Sequence, residues 1–378
     1  MNLPLMRRID RMVGLGILRA LTLFHRKAEQ PRHPRRILII KLFGFGNFIF
    51  LSPVYKALKR AFPDATLETL TFAPNRDICL MYADYIDRVH TLDFSLTRMG
   101  FQILGFAARH RGEFDIVIDC EQFVRLSALI ARLCVPKYLV GMVTRNSHKD
   151  HGLDRAIYYA ETRHVVEEFY EIAEDILGKA GVGPAEPPVL VSPRASETER
   201  TMALEREIPG WIPVGVCPGG RADDQERRYP KERFAKALEL LLRDCSRIKV
   251  FFVGAEAERP DIDYIMQRLA DTDRIVDATG LSLPESARII SSMRVFVSND
   301  TGPIHLAASL GVHCVGLYGP SKEWIYGPYT SARTILRDDI HTPVRSNHNE
   351  KMAGWHGTWW PAPERVASAI GQAVTDSA

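Results

Sequence analysis

Twice in this chain an apolar run leads directly into a glycine turn and then a helical pattern, and this repeated order limits the fold more than any other feature. The first instance is Ile37-Leu38-Ile39-Ile40, followed by Lys41-Leu42-Phe43-Gly44-Phe45-Gly46-Asn47 and a helical pattern from about 48 to 61. The second is Val214-Gly215-Val216, then Pro218-Gly219-Gly220, then a helix from about 231 to 242. An unbroken apolar run suits a parallel strand buried on both faces, and strand, glycine turn, helix is the opening of a βαβ unit. Further strands are expected at 67–72, 89–92 and 116–119 in the first half, and at 249–253, 275–277, 295–298 and 314–317 in the second. The alternation of strands and helices predicts an α/β chain with two doubly wound, Rossmann-like parallel sheets.

A length of 378 residues is also more than one core usually supports. The stretch from 178 to 193 holds three glycines and four prolines and reads as a linker. The expected organisation is a basic N-terminal segment at 1–34, a first domain at 35–180, a linker at 181–194, and a second domain at 195–345. A tail with a final helix follows at 346–378, a helix that in two-domain sheets of this type can cross back to the first domain.

Charge is unevenly placed. Residues 1–36 carry nine Lys/Arg against two acids, a net +7 where the whole chain has +3, so the rest sums to −4. Apolar residues at roughly helical spacing (Leu5, Ile9, Met12, Leu15, Leu18) alternate with those cations, which suits packing on the protein body or contact with an anionic lipid surface. Arg19 interrupts the apolar run and no small-residue cleavage site follows, which argues against a signal peptide. The excess of cations is confined to this segment, and no nucleic-acid partner is expected. Six scattered cysteines without C-x-x-C spacing point to free thiols in a cytoplasmic setting rather than to a metal or disulfide framework.

The most informative local run is Ser298-Asn299-Asp300-Thr301-Gly302-Pro303-Ile304-His305. A strand passes into a small polar turn and a helix, where α/β sheets bind ligands beyond the carboxyl ends of their strands. Thr301 and Gly302 would offer backbone N–H groups to a diphosphate, with His305 one turn further in; the plainer alternative is helix capping by Asp300 and Thr301 around a packed histidine. Gly219 and Gly220 would let backbone approach a phosphate, with Arg227 or Arg228 supplying charge. The first turn, Gly44-x-Gly46-x-x-Ile49, lacks the third glycine of a dinucleotide fingerprint, which argues against a nicotinamide dehydrogenase. Lys41, at the end of the first strand, and Gly46 are candidates for phosphate or acceptor contact. Asp119 and Glu121, at the end of the strand at 116–119, read either as working carboxylates or as helix caps.

Together these pieces resemble glycosyltransferase family 9, the bacterial ADP-heptose:lipopolysaccharide heptosyltransferases. The matching features are Ile37–Lys41 with Gly46 and Pro53, the segment Arg227-Arg228-Tyr229-Pro230, the run Asp300–His305, and Gly316-Leu317-Tyr318-Gly319-Pro320-Ser321, in order over about 35–345. The resemblance implies the GT-B architecture, with donor held mainly by the second domain (Gly219, Gly220, Arg227, Asp300, Thr301, Gly302, His305) and acceptor by the first. It also implies inverting transfer without an obligatory metal or cofactor, at the inner face of the cytoplasmic membrane, from a nucleotide-diphosphate sugar such as ADP-heptose to a glycolipid or other cell-surface glycan.

Two positions depart from the family pattern. Asn47 stands where members commonly carry the Asp that serves as candidate base, and an amide cannot accept that proton. Either Asp119 or Glu121 takes over, or the protein is slow or inactive. Arg227 stands where Lys is common, keeping charge and changing geometry. A non-catalytic nucleotide-sugar binder and a sugar-nucleotide epimerase are the alternatives of the same general plan.

Overall fold

The computed structural model describes residues 16, 18, 27–145, 147–179, 183–190, 197–220, 225–338 and 360–377. Most of the expected basic segment at 1–34, and the tail from 346 to 359, lie outside the described residues. The chain divides into two compact units, after Glu186, inside the stretch read as a linker.

The first unit contains β1 (Arg36–Ile40), α1 (Phe45–Ala61), β2 (Thr66–Phe72), α2 (Arg76–Met81), β3 (Arg88–Leu92) and α3 (Leu96–Arg109). It continues with β4 (Ile116–Asp119), α4 (Arg125–Leu133), β5 (Tyr138–Val143), β6 (Arg155–Tyr158) and α5 (Val165–Leu177). All strands pair in parallel, in the order β3-β2-β1-β4-β5-β6. The central strands are sealed on both faces: Ile37 to Ile40 and Ile116 to Ile118 have no exposed surface, whereas edge strand β3 exposes Arg88 and Thr91 to water and buries only Leu92. Pro53 sits inside α1 without breaking it. The carbonyl of Ile49, which a residue with an N–H at 53 would have reached, accepts the Ser52 hydroxyl instead at 2.7 Å.

The second unit contains α6 (Glu199–Arg206), β7 (Ile212–Cys217), α7 (Lys231–Asp244), β8 (Ile248–Gly254), α8 (Arg259–Met266) and β9 (Ile275–Thr279). Then follow α9 (Leu283–Ser291), β10 (Val295–Asn299), α10 (Gly302–Ser309), β11 (His313–Leu317), α11 (Glu323–Tyr326), β12 (Arg333–Leu336) and α12 (Pro363–Asp376). Its order, β12-β11-β10-β7-β8-β9, is the same doubly wound plan. Where strand order reverses, Gly215 of β7 lies in register with Phe296 of β10. A Cβ at Gly215 would come within 2.5 Å of that ring, so the glycine is what lets the two strands close.

The final helix belongs to the second unit. Helix α12 packs on α7 and on the strands of the second unit, burying Val366, Ile370 and Val374 in that unit's own core. Tyr229 fixes its entry by donating its hydroxyl to the Pro361 carbonyl at 2.9 Å, with Trp360 packed edge-on against the Tyr229 ring.

Within the first sheet, the side chain of Glu68 on β2 has no exposed surface, yet it is charged. Burial alone would raise its pKa, but hydrogen bonds from His90 (2.7 Å) and Arg36 (2.8 Å) outweigh that and hold the carboxyl down at about 2. A carboxyl depressed in the folded state adds stability that is complete above its unfolded pKa and is lost as pH falls through the folded one. Glu68→Gln is therefore expected to lower unfolding free energy at pH 7 by about 2 kcal/mol, and to shrink the gap from wild type as pH drops from about 4 toward 2. Urea unfolding across that range checks this, and identical curves at pH 7 would count against it.

Candidate active site

In both units the singled-out residues stand at the carboxyl ends of the two strands that flank the order reversal: β1 and β4 in the first, β7 and β10 in the second. Outside this point the two following connections run to opposite faces, which leaves a crevice in the backbone.

In the first unit, β1 runs into the turn that starts α1. The Glu121 carboxylate grips this turn, taking the N–H of Leu42 at 2.7 Å and of Phe43 at 2.9 Å on Oε1, while Lys41 Nζ sits 3.1 Å from Oε2. Lys41, expected as a cation facing a ligand, is buried with its charge paired here and a further hydrogen bond to Gln122 at 3.1 Å. Asp119 is fully buried: Oδ2 lies 2.8 Å from Lys149 Nζ, and Oδ1 accepts the Glu121 N–H at 3.1 Å. Burial raises the Asp119 pKa, and the Lys149 ammonium opposes that rise. Lys149 also donates to the Glu121 carbonyl and to Ser127 Oγ. Both carboxylates are thus engaged in building the turn.

Asn47 lies in the first turn of α1, half-buried beside Gly46. Its backbone N–H reaches the Gly44 carbonyl at 3.0 Å and its side-chain Nδ2 donates to the Phe43 carbonyl at 3.2 Å. Gly44 has φ of +80°, a conformation that favours glycine, and a Cβ there would also meet Asn47 Nδ2 at 2.7 Å and displace that amide. The first turn of this 17-residue helix holds no acid, and its cap makes no side-chain hydrogen bond. That end accordingly favours an anion or a polar hydroxyl.

In the second unit a single buried amide joins three segments. Asn299 donates through Nδ2 to the carbonyls of Pro218 (2.7 Å) and Gly219 (3.0 Å), and accepts the Tyr229 N–H on Oδ1 at 2.9 Å. Next to it, Asp300 Oδ2 pairs with Arg227 Nη1 at 3.1 Å, both groups being more than nine-tenths buried. His305 Nε2 stands 4.0 Å from the other Asp300 oxygen. The adjacent arginine does different work: Arg228 holds the Gly220 carbonyl and Asp261, the latter at 3.0 Å. Thr301 does not cap α10 with its side chain, since its hydroxyl is exchanged with Ser298 Oγ at 3.0 Å. The simple capping reading of Thr301 therefore fails, and the backbone at Thr301 and Gly302 opens a helix with no acid in its first turn.

Sequence reasoning missed three side chains here. Asn299 was inside the singled-out run but was given no role, although an amide at a strand end is a usual clamp for neighbouring loops. Glu258, after β8, packs so closely on Gly219 that a Cβ at 219 would fall 2.1 Å from its Oε1. Burial pushes the Glu258 carboxyl up. Lys149 comes from the β5 to β6 connection and carries no local signal. Asn299→Ala would orphan the Tyr229 N–H and two carbonyls, a loss of roughly 2–4 kcal/mol. The expected readout is a fall in Tm of about 5–10 °C; an unchanged Tm would contradict the clamp.

The model of glycosyltransferase family 9 (heptosyltransferase) matches residues 107–356. Lipooligosaccharide heptosyltransferase 2 of Haemophilus influenzae is 23% identical over 341 residues, covering 85% of this chain and 93% of that protein. Lipopolysaccharide heptosyltransferase 1 of Escherichia coli K12 is 22% identical over 317 residues, covering 80% and 93%. Among solved structures, the family 9 glycosyl transferase of Veillonella parvula superposes with a TM-score of 0.74 at 20% identity, over 90% of this chain and 98% of that one. The E. coli ADP-heptose lps heptosyltransferase II does so with 0.70 at 16%, over 90% and 99%. The fold they share is GT-B, with two Rossmann-like domains. The family match takes in the Gly219-Gly220 loop, the Arg227 segment and the Asp300–His305 turn in one stretch, and the chain belongs to glycosyltransferase family 9.

Proposed function

We propose that this chain transfers a heptose, with inversion, from ADP-heptose to a core sugar of a lipopolysaccharide-like glycolipid at the inner face of the cytoplasmic membrane. The relatives named above are heptosyltransferases of lipopolysaccharide or lipooligosaccharide. A heptosyltransferase of E. coli with the same fold (TM-score 0.65, 20% identity) has been solved with ADP and with ADP-2-deoxy-2-fluoro heptose. All six cysteines are free, in keeping with a reducing compartment. No helix among the described residues is long and apolar enough to cross a membrane.

The observation that carries the reading is the buried Arg227–Asp300 pair at the mouth of α10, fixed in place by Asn299. When an acceptor hydroxyl attacks the anomeric carbon, the bond to the diphosphate breaks and negative charge grows on the departing phosphate. Backbone N–H groups at Thr301 and Gly302, with the Arg227 guanidinium, supply donors already aimed and desolvated, and such preorganised donors stabilise developing charge best. Asp300 takes one of the five guanidinium donors and orients the plane. His305 and the Gly219-Gly220 backbone border the same turn.

In this reading Asp119 and Glu121 position rather than react: Glu121 shapes the turn before α1, and Asp119 seats Lys149. Asn47 offers its amide oxygen to the acceptor hydroxyl and orients it without taking the proton, which passes to solvent water as the new glycosidic bond forms. Transfer then relies on leaving-group stabilisation and is slow.

Two measurements test this. ADP should raise Tm more than UDP or GDP at equal concentration, because a ligand bound only to the folded state stabilises it. Asn47→Asp should raise kcat for transfer about a hundredfold by restoring a base, with a new acid limb in the pH profile. Preference for UDP or GDP, or absence of transfer by both wild type and the aspartate variant, would defeat the proposal.

A further inference from the structure

We propose that the solvent face of α3 is a docking surface for an anionic lipid layer. The helix turns an apolar stripe outward: Phe101 is 80% exposed and Leu104 58%, with Gly105 and Ala108 exposed beside them. Spacings of three and four residues place 101, 104, 105 and 108 on one face. Helix α3 is held by its other side, where Ile103 and Ala107 are buried in the core and Phe106 packs among His90, His110 and Phe114.

Cations frame the stripe. Arg98 and Arg109 lie in α3 and Arg111 just beyond it, all three exposed, and the helix contains no acidic residue. The acids that flank it are engaged: Asp93 takes the Gln102 amide at 3.4 Å, and Glu113 is held by Arg36 at 2.6 Å and His110 at 2.8 Å. Large apolar groups bracketed by guanidinium groups, with no carboxylate between, fit the boundary where acyl chains meet phosphate headgroups. A second copy of the chain fits poorly, because a two-fold pairing would bring the same arginines together with no acid to meet them.

The placement gives the surface a use. Phe94, immediately before α3, packs on Phe72 at 4.2 Å and on Phe43 of the β1 turn at 5.9 Å. The first turn of α3 therefore stands at the same edge of the first sheet as Lys41–Asn47. A chain docked on this face would hold that edge near the headgroups of a lipid-linked acceptor. This use rests on the glycolipid reading above; the docking itself does not.

The test is co-sedimentation of the full-length chain with vesicles of phosphatidylcholine alone or mixed with phosphatidylglycerol. Wild type should partition onto the mixed vesicles and leave them at high salt. Phe101→Ser with Leu104→Ser should lower partitioning at least about tenfold, and Arg98→Gln with Arg111→Gln about fivefold per arginine. Tm should not change, since the replaced side chains face water. Vesicle binding that persists in both variants, carried by residues 1–34 or elsewhere, overturns the proposal. So does self-association of wild type that the serine variant abolishes, without vesicle binding. Transfer to a delipidated acceptor is measured alongside: its failure in a wild type that still binds vesicles through α3 would sink the glycolipid reading and leave the docking surface standing.

Discussion

The second unit depends on one buried side chain amide. Asn299 ends β10, and its two donors and one acceptor are all used on backbone from two other segments. Each of those backbone groups would otherwise need water in a place where Asn299 has no exposed surface. The amide therefore sets the position of the Gly219-Gly220 loop and of the arginine-bearing segment before α7 relative to the turn at Thr301. Everything chemical in this unit follows from that positioning: Arg227 meets Asp300, Arg228 meets the Gly220 carbonyl, and Glu258 closes on Gly219.

The first unit solves the same problem with charge. Glu121 plays the part of Asn299, gripping the backbone of the turn that follows the first strand. A carboxylate can do this only if its charge is balanced: Lys41 pairs with Glu121 at 3.1 Å, while Lys149 pairs with the neighbouring Asp119 at 2.8 Å and donates to the Glu121 carbonyl. Two lysines and two acids locked together are costly to bury but hard to rearrange once satisfied. The result is a stiff floor for the start of α1, where Asn47 presents its amide.

Much of this architecture was readable in advance because buried parallel strands are all-apolar runs. β1, β4 and β10 were legible to within a residue or two for that reason. β5 was not: Tyr138 opens it and Gly141 interrupts it, and only the structure shows Leu153 filling the space a Cβ at 141 would need. β6 and β12 are short edge strands of four residues, each opening on an exposed arginine, where pairing rather than composition makes the strand. α3 was hidden by Gly100 and Gly105, two poor helix formers inside the segment. At the candidate sites, residue types were legible and partnerships were not. Asp119 and Glu121 could be named as acids at a strand end, but the lysine that pairs Asp119 comes from thirty residues further on. Composition alone did not separate Arg227 from Arg228; the family resemblance singled out Arg227, and the fold sends the two to different acids, Asp300 and Asp261.

In the proposed reaction the turn after β10, with Arg227 seated on Asp300, grips the leaving diphosphate. Calorimetric titration of ADP into wild type and Arg227→Gln tests it most directly. Saturable one-site binding is expected, with an affinity at least about tenfold lower in the variant and part of the same affinity lost in Asp300→Asn. Equal affinity for ADP in wild type and Arg227→Gln would contradict it.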